Sequence, residues 1–301
     1  MIRVEWSPEI AVSGEAALVR HAFPDTATMT AYRGPQAVGS WSIPVDGTHV
    51  RREARVLPYI APTLVEQHPQ RRRGVMQAML DAVQQRYDSL ELPMAPSFHD
   101  VQACRDLGIA VEWRHTNILA LDADWRVGYS ATVRQQLRAT ASVSVDVGSP
   151  LAAFRFDRAL VAQSPEAMAQ RGRFAAWAGR QGTVTCLTAR HEDRVVGQLL
   201  ALILGDTGYS MHSWFERTGP RGVPSLLIDE AALALRAKGC RAFDLEGSVV
   251  PTVDYFMSGF GATVTPYPYL YWHYDRESMA ALLMSGISAG LESADVGMIG
   301  A

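Results

Sequence analysis

Three stretches of this 301-residue chain combine residue types that can do chemistry. In RAFDLEGSVVP (241–251) an apolar run ends abruptly in Glu246, Gly247 and Ser248. A carboxylate followed by Gly-Ser at the C-terminal end of a strand stands where ligand clefts form in α/β sheets, and such a carboxylate can be tuned to move protons near neutral pH. In YSMHSWF (209–215), strand alternation puts Tyr209, Met211, Ser213 and Phe215 on one face and Ser210, His212 and Trp214 on the other. His212 is the second candidate proton carrier, against the plainer reading of a histidine hydrogen-bonded within a sheet. The third stretch, Arg217-Thr218-Gly219-Pro220-Arg221-Gly222-Val223-Pro224, leads two arginines into a helix whose free N–H groups attract an anion. Pro220 and Pro224 remove two donors from it, and a plain turn-to-helix connection is the alternative.

A fourth stretch, Gln70-Arg71-Arg72-Arg73-Gly74-Val75-Met76, opens another helix with three arginines and no neighbouring acid. It reads as a basic turn of an exposed helix, or as a contact for phosphate. Arg134 and Arg138 give one further helix a basic face. The net charge of −3 confines any nucleic-acid contact to such local patches. Lys238 is the only lysine, which excludes most lysine-based mechanisms. Cys104, Cys186 and Cys240 are scattered and odd in number, so neither a disulfide framework nor a zinc site is expected. The histidines show no metal-binding i, i+4 pair with acid neighbours, and no Gly-x-Ser-x-Gly is present. MIRVEWSPEI lacks the apolar core of a signal peptide, and Ser278–Leu291 is too short and too rich in Gly and Ser to span a bilayer. A cytoplasmic monomer is the expectation.

The elements that would position these residues recur in one order, twice. In the second half TVTCLTAR (183–190), VVGQLLALIL (195–204) and YSMHSWF read as an antiparallel meander. A helix from Pro224 to Ala237 follows, stopped by Gly239, then strand 241–246, a short helix over 251–258 and an aromatic strand ending in Tyr267, Tyr269, Tyr271, Trp272, His273 and Tyr274. The first half repeats this with strands 27–33, 37–45 and 49–56, helix 69–86, strand 87–92, helix 98–106 and strand 108–113. Residues 124–180 read as helical, with Ser164 as an N-cap and Pro165 in the first turn. The expected domains are therefore 1–122 and 123–276, each a mixed, mainly antiparallel sheet flanked by helices in an α/β (α+β) class. The tail 277–301 would be a docking segment or a frayed end.

This element order resembles the GNAT acyltransferase fold in tandem. The segment carrying Gly222, Leu226-Leu227, Asp244-Leu245-Glu246-Gly247-Ser248, Tyr255-Phe256 and Phe260-Gly261-Ala262 is similar to the Fem-type peptidoglycan aminoacyltransferases and their GNAT relatives. The helix around Arg134 and Arg138 is similar to the arginine-containing helix that opens the second half of that family. In the first half the likeness is limited to pieces such as RVLPYIAP (55–62) and 71–90, so it is specific from about 183 to 262.

The resemblance implies transfer of an acyl group to an amine, with aminoacyl-tRNA as the first choice of donor. An acyl-coenzyme A-dependent N-acyltransferase is the runner-up, and an inactive binding module is the rival of another class. It also implies that strand 209–215 splays from strand 241–246 and that the reacting ester or thioester lies in the gap, with exposed backbone N–H groups stabilising the oxyanion. Glu246 or His212 would take the amine's proton, or the substrate itself would assist. Tyr255 would be the acid for the leaving group. Ser213, Trp214, Arg217, Arg221, Gly222 and Ser248 would hold the donor, Asp254 and Ser258 would support the rim, and Arg71, Arg72, Arg134 and Arg138 would meet tRNA phosphates. The coenzyme A loop pattern of Gln or Arg with glycines three and five positions later is broken at Arg217, where Pro220 and Gly222 occupy those places, and at Arg71, where Met76 replaces the second glycine. No tightly bound cofactor and no metal are expected.

Overall fold

The computed structural model of the chain describes residues 1–7, 14–51, 57–122, 124–156, 165–247 and 251–273. Its residues form two compact units, one of 1–53, 59–114 and 266–301, the other of 54–58 and 115–265. The change of unit falls between Arg114 and His115, inside a strand, and not near 122. The expected tail, 277–301, and Ser164 lie outside the described residues.

The first unit holds β1 (Arg3–Trp6), α1 (Gly14–Ala22), β2 (Thr26–Arg33), β3 (Gln36–Pro44), β4 (His49–Arg51), β5 (Thr63–Leu64), α2 (Pro69–Gln84), β6 (Ser89–Pro93), α3 (Val101–Asp106) and the start of β7 (Ala110–Ala120). Strands β1, β2, β3 and β5 form an antiparallel sheet in that order. Against expectation β4 does not continue that meander, but pairs in parallel with β6. Helix α2 buries Val75, Met76, Met79, Leu80 and Val83, whose spacing makes one apolar stripe. Its polar side is tied to α3: Arg72 Nε donates to Asp100 at 2.7 Å, and Arg73 and Gln77 both reach Asp106.

The second unit continues with the rest of β7, a 3₁₀ turn at Trp125–Gly128, α4 (Ala131–Ala139), β8 (Ser144–Val147), α5 (Pro165–Arg180), β9 (Val184–His191), β10 (Arg194–Leu204) and β11 (Thr207–Phe215). Then come α6 (Val223–Ala237), β12 (Ala242–Asp244), α7 (Pro251–Ser258) and β13 (Thr263–His273), whose residues from 266 onward return to the first unit. There they lie antiparallel to β6, from Tyr269 opposite Pro93 to His273 opposite Ser89. This ladder is why the aromatic strand does not close the second repeat.

In the second unit the strands run β7-β12-β11-β10-β9-β8, with β9, β10 and β11 an antiparallel meander and β12 parallel to β11. Strand β8 falls within a stretch read as helical. The alternation in SVSVDV turns Val143 and Val145 toward the core and satisfies an edge ladder with β9. Helix α6 buries Val223, Leu227, Ile228, Ala231, Ala232 and Leu235 against the sheet. Gly208 makes this close packing possible, since a β-carbon there would lie 2.4 Å from Leu235 Cδ1. Among the described residues no helix is long and apolar enough to cross a membrane.

One polar cluster fixes α6 to the turn before α4. Arg126 donates twice to the buried Asp229, at 2.8 and 2.7 Å, while Tyr129 donates to the same carboxylate at 2.9 Å and takes a bond from Trp125 Nε1 at 3.1 Å. Burial and the adjacent carboxylate push the Tyr129 hydroxyl well above the usual phenol range, so it stays a donor. Because Arg126 is half-exposed, removing Asp229 does not strand a fully buried cation. Asp229→Ala is expected to lower the unfolding free energy by about 2–3 kcal/mol in urea denaturation, from lost charge-assisted bonds and an unsatisfied phenol.

Candidate functional site

The site is built where β12 parts from β11. The two strands pair in parallel only from Thr207 opposite Ala242 to Tyr209 opposite Asp244. Beyond that point β12 stays with β7, Leu245 N donating to Asn117 O at 2.9 Å, while β11 stays with β10 as far as Phe215. A fork opens between Ser210–Phe215 on one side and Leu245–Gly247 on the other. Among the described residues β11 has no strand paired to it on the fork side beyond Tyr209, the geometry in which N–H donors can meet an oxyanion.

Asp244 anchors the root of the fork. It is 1% exposed, accepts from the Thr116 hydroxyl on β7 and accepts from the backbone N–H of Glu246 at 2.8 Å. The second bond folds the chain back on itself and holds Glu246 at φ +62°, a conformation costly for a side chain with a β-carbon. Gly247 then lies flat on β7: a β-carbon there would sit 1.8 Å from His115 O. The glycine is therefore needed for strand contact, and not for close approach of a ligand. Ser248 lies outside the described residues.

A β-bulge in β11 resets which side chains share a face. Leu200 pairs with His212 and Ala201 with Ser210, so Met211 is the extra residue. The face opposite α6 accordingly carries Tyr209, His212 and Trp214, not the Ser210, His212 and Trp214 of simple alternation. Ser213 and Phe215 turn to the α6 side with their partners Leu199 and Gly197.

Two residues expected at the reaction centre are buried on that face. Trp214 is 3% exposed and donates to Gln198 Oε1 at 2.8 Å, so its indole is an internal strut. His212 packs edge-on to Phe156 beside Arg171 in a small enclosure lined by Phe174, Leu200 and Met211. Burial, with the Arg171 charge second, drives its imidazole down to about 3. So weak a base cannot hold an amine's proton at neutral pH, and the role expected of His212 is corrected on that ground. Since this group is depressed from 6.5, the unfolded chain binds a proton that the native one refuses. Native stability should fall as pH drops from about 6.5 toward 3, and His212→Leu should flatten that limb in chemical denaturation at stepped pH.

Tyr255, the expected acid, is 77% exposed on α7. Its neighbour Asp254 turns inward instead and meets two β7 side chains that the sequence did not single out. Asn117 Nδ2 donates to Asp254 Oδ1 at 3.1 Å, and His115 Nε2 lies 3.5 Å from the same oxygen. Asp244 and Thr116 were missed as well, the first although it stands inside the quoted Asp-Leu-Glu-Gly-Ser. The signal available for it was a carboxylate within an otherwise apolar strand.

The loop before α6 is closed at its helix end. Gly222, at φ +90°, is the N-cap, and a β-carbon on it would lie 2.4 Å from Gln136 O on α4. Ser225 Oγ bonds Gln136 Oε1 at 2.6 Å. The helix N-terminus thus abuts α4 rather than an open cradle. Arg217 and Arg221 on the loop and Arg134 and Arg138 on α4 are all exposed, and among the described residues none of the four pairs with a carboxylate. The Gly222–Gln136 contact brings the two pairs of arginines onto neighbouring elements. By contrast Arg72 is spent on Asp100 and Arg73 on Asp106, and the charge of Arg71 acts on Glu66, so the run at 71–73 is not unbalanced by acid. Within the late aromatic run Tyr269 and Tyr271 are buried and stack at 4.7 Å, with Arg114 3.7 Å over the Tyr269 ring centre, and Tyr274 lies outside the described residues.

Neither a protein-family model nor a curated sequence matches the chain. Solved structures do. A tandem GNAT protein from the clavulanic acid biosynthesis pathway, solved without AcCoA, aligns at TM-score 0.52 and 14% identity over 91% of this chain and 99% of its own. The chain has the tandem-GNAT fold. Within that fold it is similar to the Fem-like group: FemX aligns at TM-score 0.64 and 10% identity, covering 93% of this chain and 99% of that one. The C-terminal domain of a putative lysylphosphatidylglycerol synthetase from Agrobacterium fabrum aligns at 0.56 and 15%, over 91% of both.

Proposed function

We propose that the second unit is an amide-forming acyltransferase that moves an aminoacyl group from tRNA to an amine. The observation that carries this reading is the arginine strip beside a closed helix terminus. A coenzyme's pyrophosphate wants open N–H groups at the start of α6, and Gln136 packs against that terminus. A nucleic-acid backbone instead wants several exposed cations spread over neighbouring elements, which Arg134, Arg138, Arg217 and Arg221 supply. Likeness to FemX and to a putative lysylphosphatidylglycerol synthetase domain supports the same class.

In this reading the acyl ester enters the fork between β11 and β12, its carbonyl oxygen meeting unpaired N–H groups of β11. Glu246, displayed by its left-handed backbone at the lip, takes the proton of the attacking amine. Acyl-coenzyme A remains the second donor, favoured by the bulged and splayed β11 itself and by the likeness to the clavulanic acid pathway protein.

Incubation with tRNA charged with radiolabelled amino acids and, separately, with radiolabelled acetyl-coenzyme A, each with a panel of small and peptide amines, decides between them. Label should pass from charged tRNA to an amine. Arg134→Gln/Arg138→Gln should weaken tRNA binding and lower the slope of log affinity against log salt by about 1 to 2. Glu246→Gln should bind normally and turn over about 100-fold more slowly. Transfer from acetyl-coenzyme A alone, with tRNA binding indifferent to the arginines, would overturn the tRNA reading. Retention of neither donor would overturn transfer altogether.

A further inference from the structure

Transfer from an ester leaves one proton unaccounted for. The departing ribose oxygen needs an acid, the role expected of Tyr255, yet that phenol stands in solvent. The inward side of α7 offers another arrangement. His115, with its side chain 47% exposed, sits where β12 ends, its carbonyl against Gly247 and its Nε2 facing Asp254. Asp254 is held in turn by Asn117, which is 0% exposed.

Asn117 carries the second, independent observation. Its amide N–H goes to Asp254, and its Oδ1 is buried with no hydrogen-bond partner among the described residues. A buried acceptor left unmet is costly, and an apolar residue of similar size would avoid the cost. The position therefore reports a task other than stability. That task is to fix Asp254, which fixes the imidazole, as a carboxylate orients a histidine in general acid–base sites.

We propose that His115 is the acid that protonates the leaving group, with Asp254 and Asn117 as its positioning residues. This deepens the transfer reading above and rests on it. The amine nitrogen bonds to the acyl carbon, and the bond from that carbon to the ribose oxygen breaks. The amine's proton passes to the Glu246 carboxylate, and the leaving oxygen takes a proton from the His115 imidazolium. Solvent then restores both groups, so one ester and one amine give one amide and one alcohol.

The test varies the leaving group. Charged tRNA needs an acid to release its alcohol, whereas a p-nitrophenyl ester of the same amino acid leaves as a stable anion. With a lysine-containing peptide as amine, His115→Gln should lose about 100-fold in rate with charged tRNA. The loss with the p-nitrophenyl ester should be smaller by at least about tenfold, and added imidazole should rescue the tRNA reaction of His115→Ala. Asn117→Leu should melt at the same temperature or higher while its tRNA-dependent rate falls, a combination that a merely structural residue would not give. Equal losses with both donors, or a normal rate in His115→Gln, would overturn the assignment while leaving the transferase intact. Absence of wild-type transfer from either donor would instead overturn the reading on which it rests.

Discussion

The carboxylate of Asp244, buried at the end of β12, holds the architecture of the site together. One bond to Thr116 ties it to β7, and another to the Glu246 N–H ends the strand. Burying a charge is unfavourable unless hydrogen bonds replace water, so these two donors are a condition of the fold as well as its consequence. Once Glu246 is bent into its left-handed conformation, the chain cannot follow β11, and the fork must open. Gly247 then settles on His115 O, which brings α7 and Asp254 over β7. The fork, and the places of Glu246, His115 and Asp254 beside it, follow from one satisfied carboxylate.

A second constraint acts across the fork. The extra residue in β11 lets one strand serve two faces out of step, so Tyr209 joins His212 and Trp214. Without the bulge His212 and Trp214 would keep their face, but Ser210 would stand where Tyr209 does. On that face Trp214 joins a buried polar seam with Gln198 and Thr188, while His212 is enclosed by Phe156, Phe174, Leu200 and Met211 beside Arg171. Burial in that enclosure, rather than distance from a substrate, is what makes His212 too weak a base.

Charge follows the same logic of partners. Arg72, Arg73 and Arg126 look as available in the sequence as Arg134 or Arg221, but α3 and α6 present them with Asp100, Asp106 and Asp229. Those ion pairs spend cations on joining helices. Among the described residues Arg134 and Arg138 on α4 and Arg217 and Arg221 on the loop that it touches are exposed with no carboxylate partner, and these are the cations on which the tRNA reading rests.

The sequence by itself determined the repeated order of strands and helices, because alternation in β9 to β11, the stripe of α6 and the stops at Gly239 and Gly247 are local properties of neighbouring residues. It also marked the end of the apolar strand before Glu246, since a carboxylate, a glycine and a hydroxyl cannot extend it. Only the tertiary structure decided the rest. A bulge changes parity by a single residue, β13 returns to β6 through a distant ladder, and Asp254 meets His115 and Asn117 although more than a hundred positions separate it from them. Pairing across such separations depends on which backbone and charged groups find partners in space, and adjacent letters do not record that.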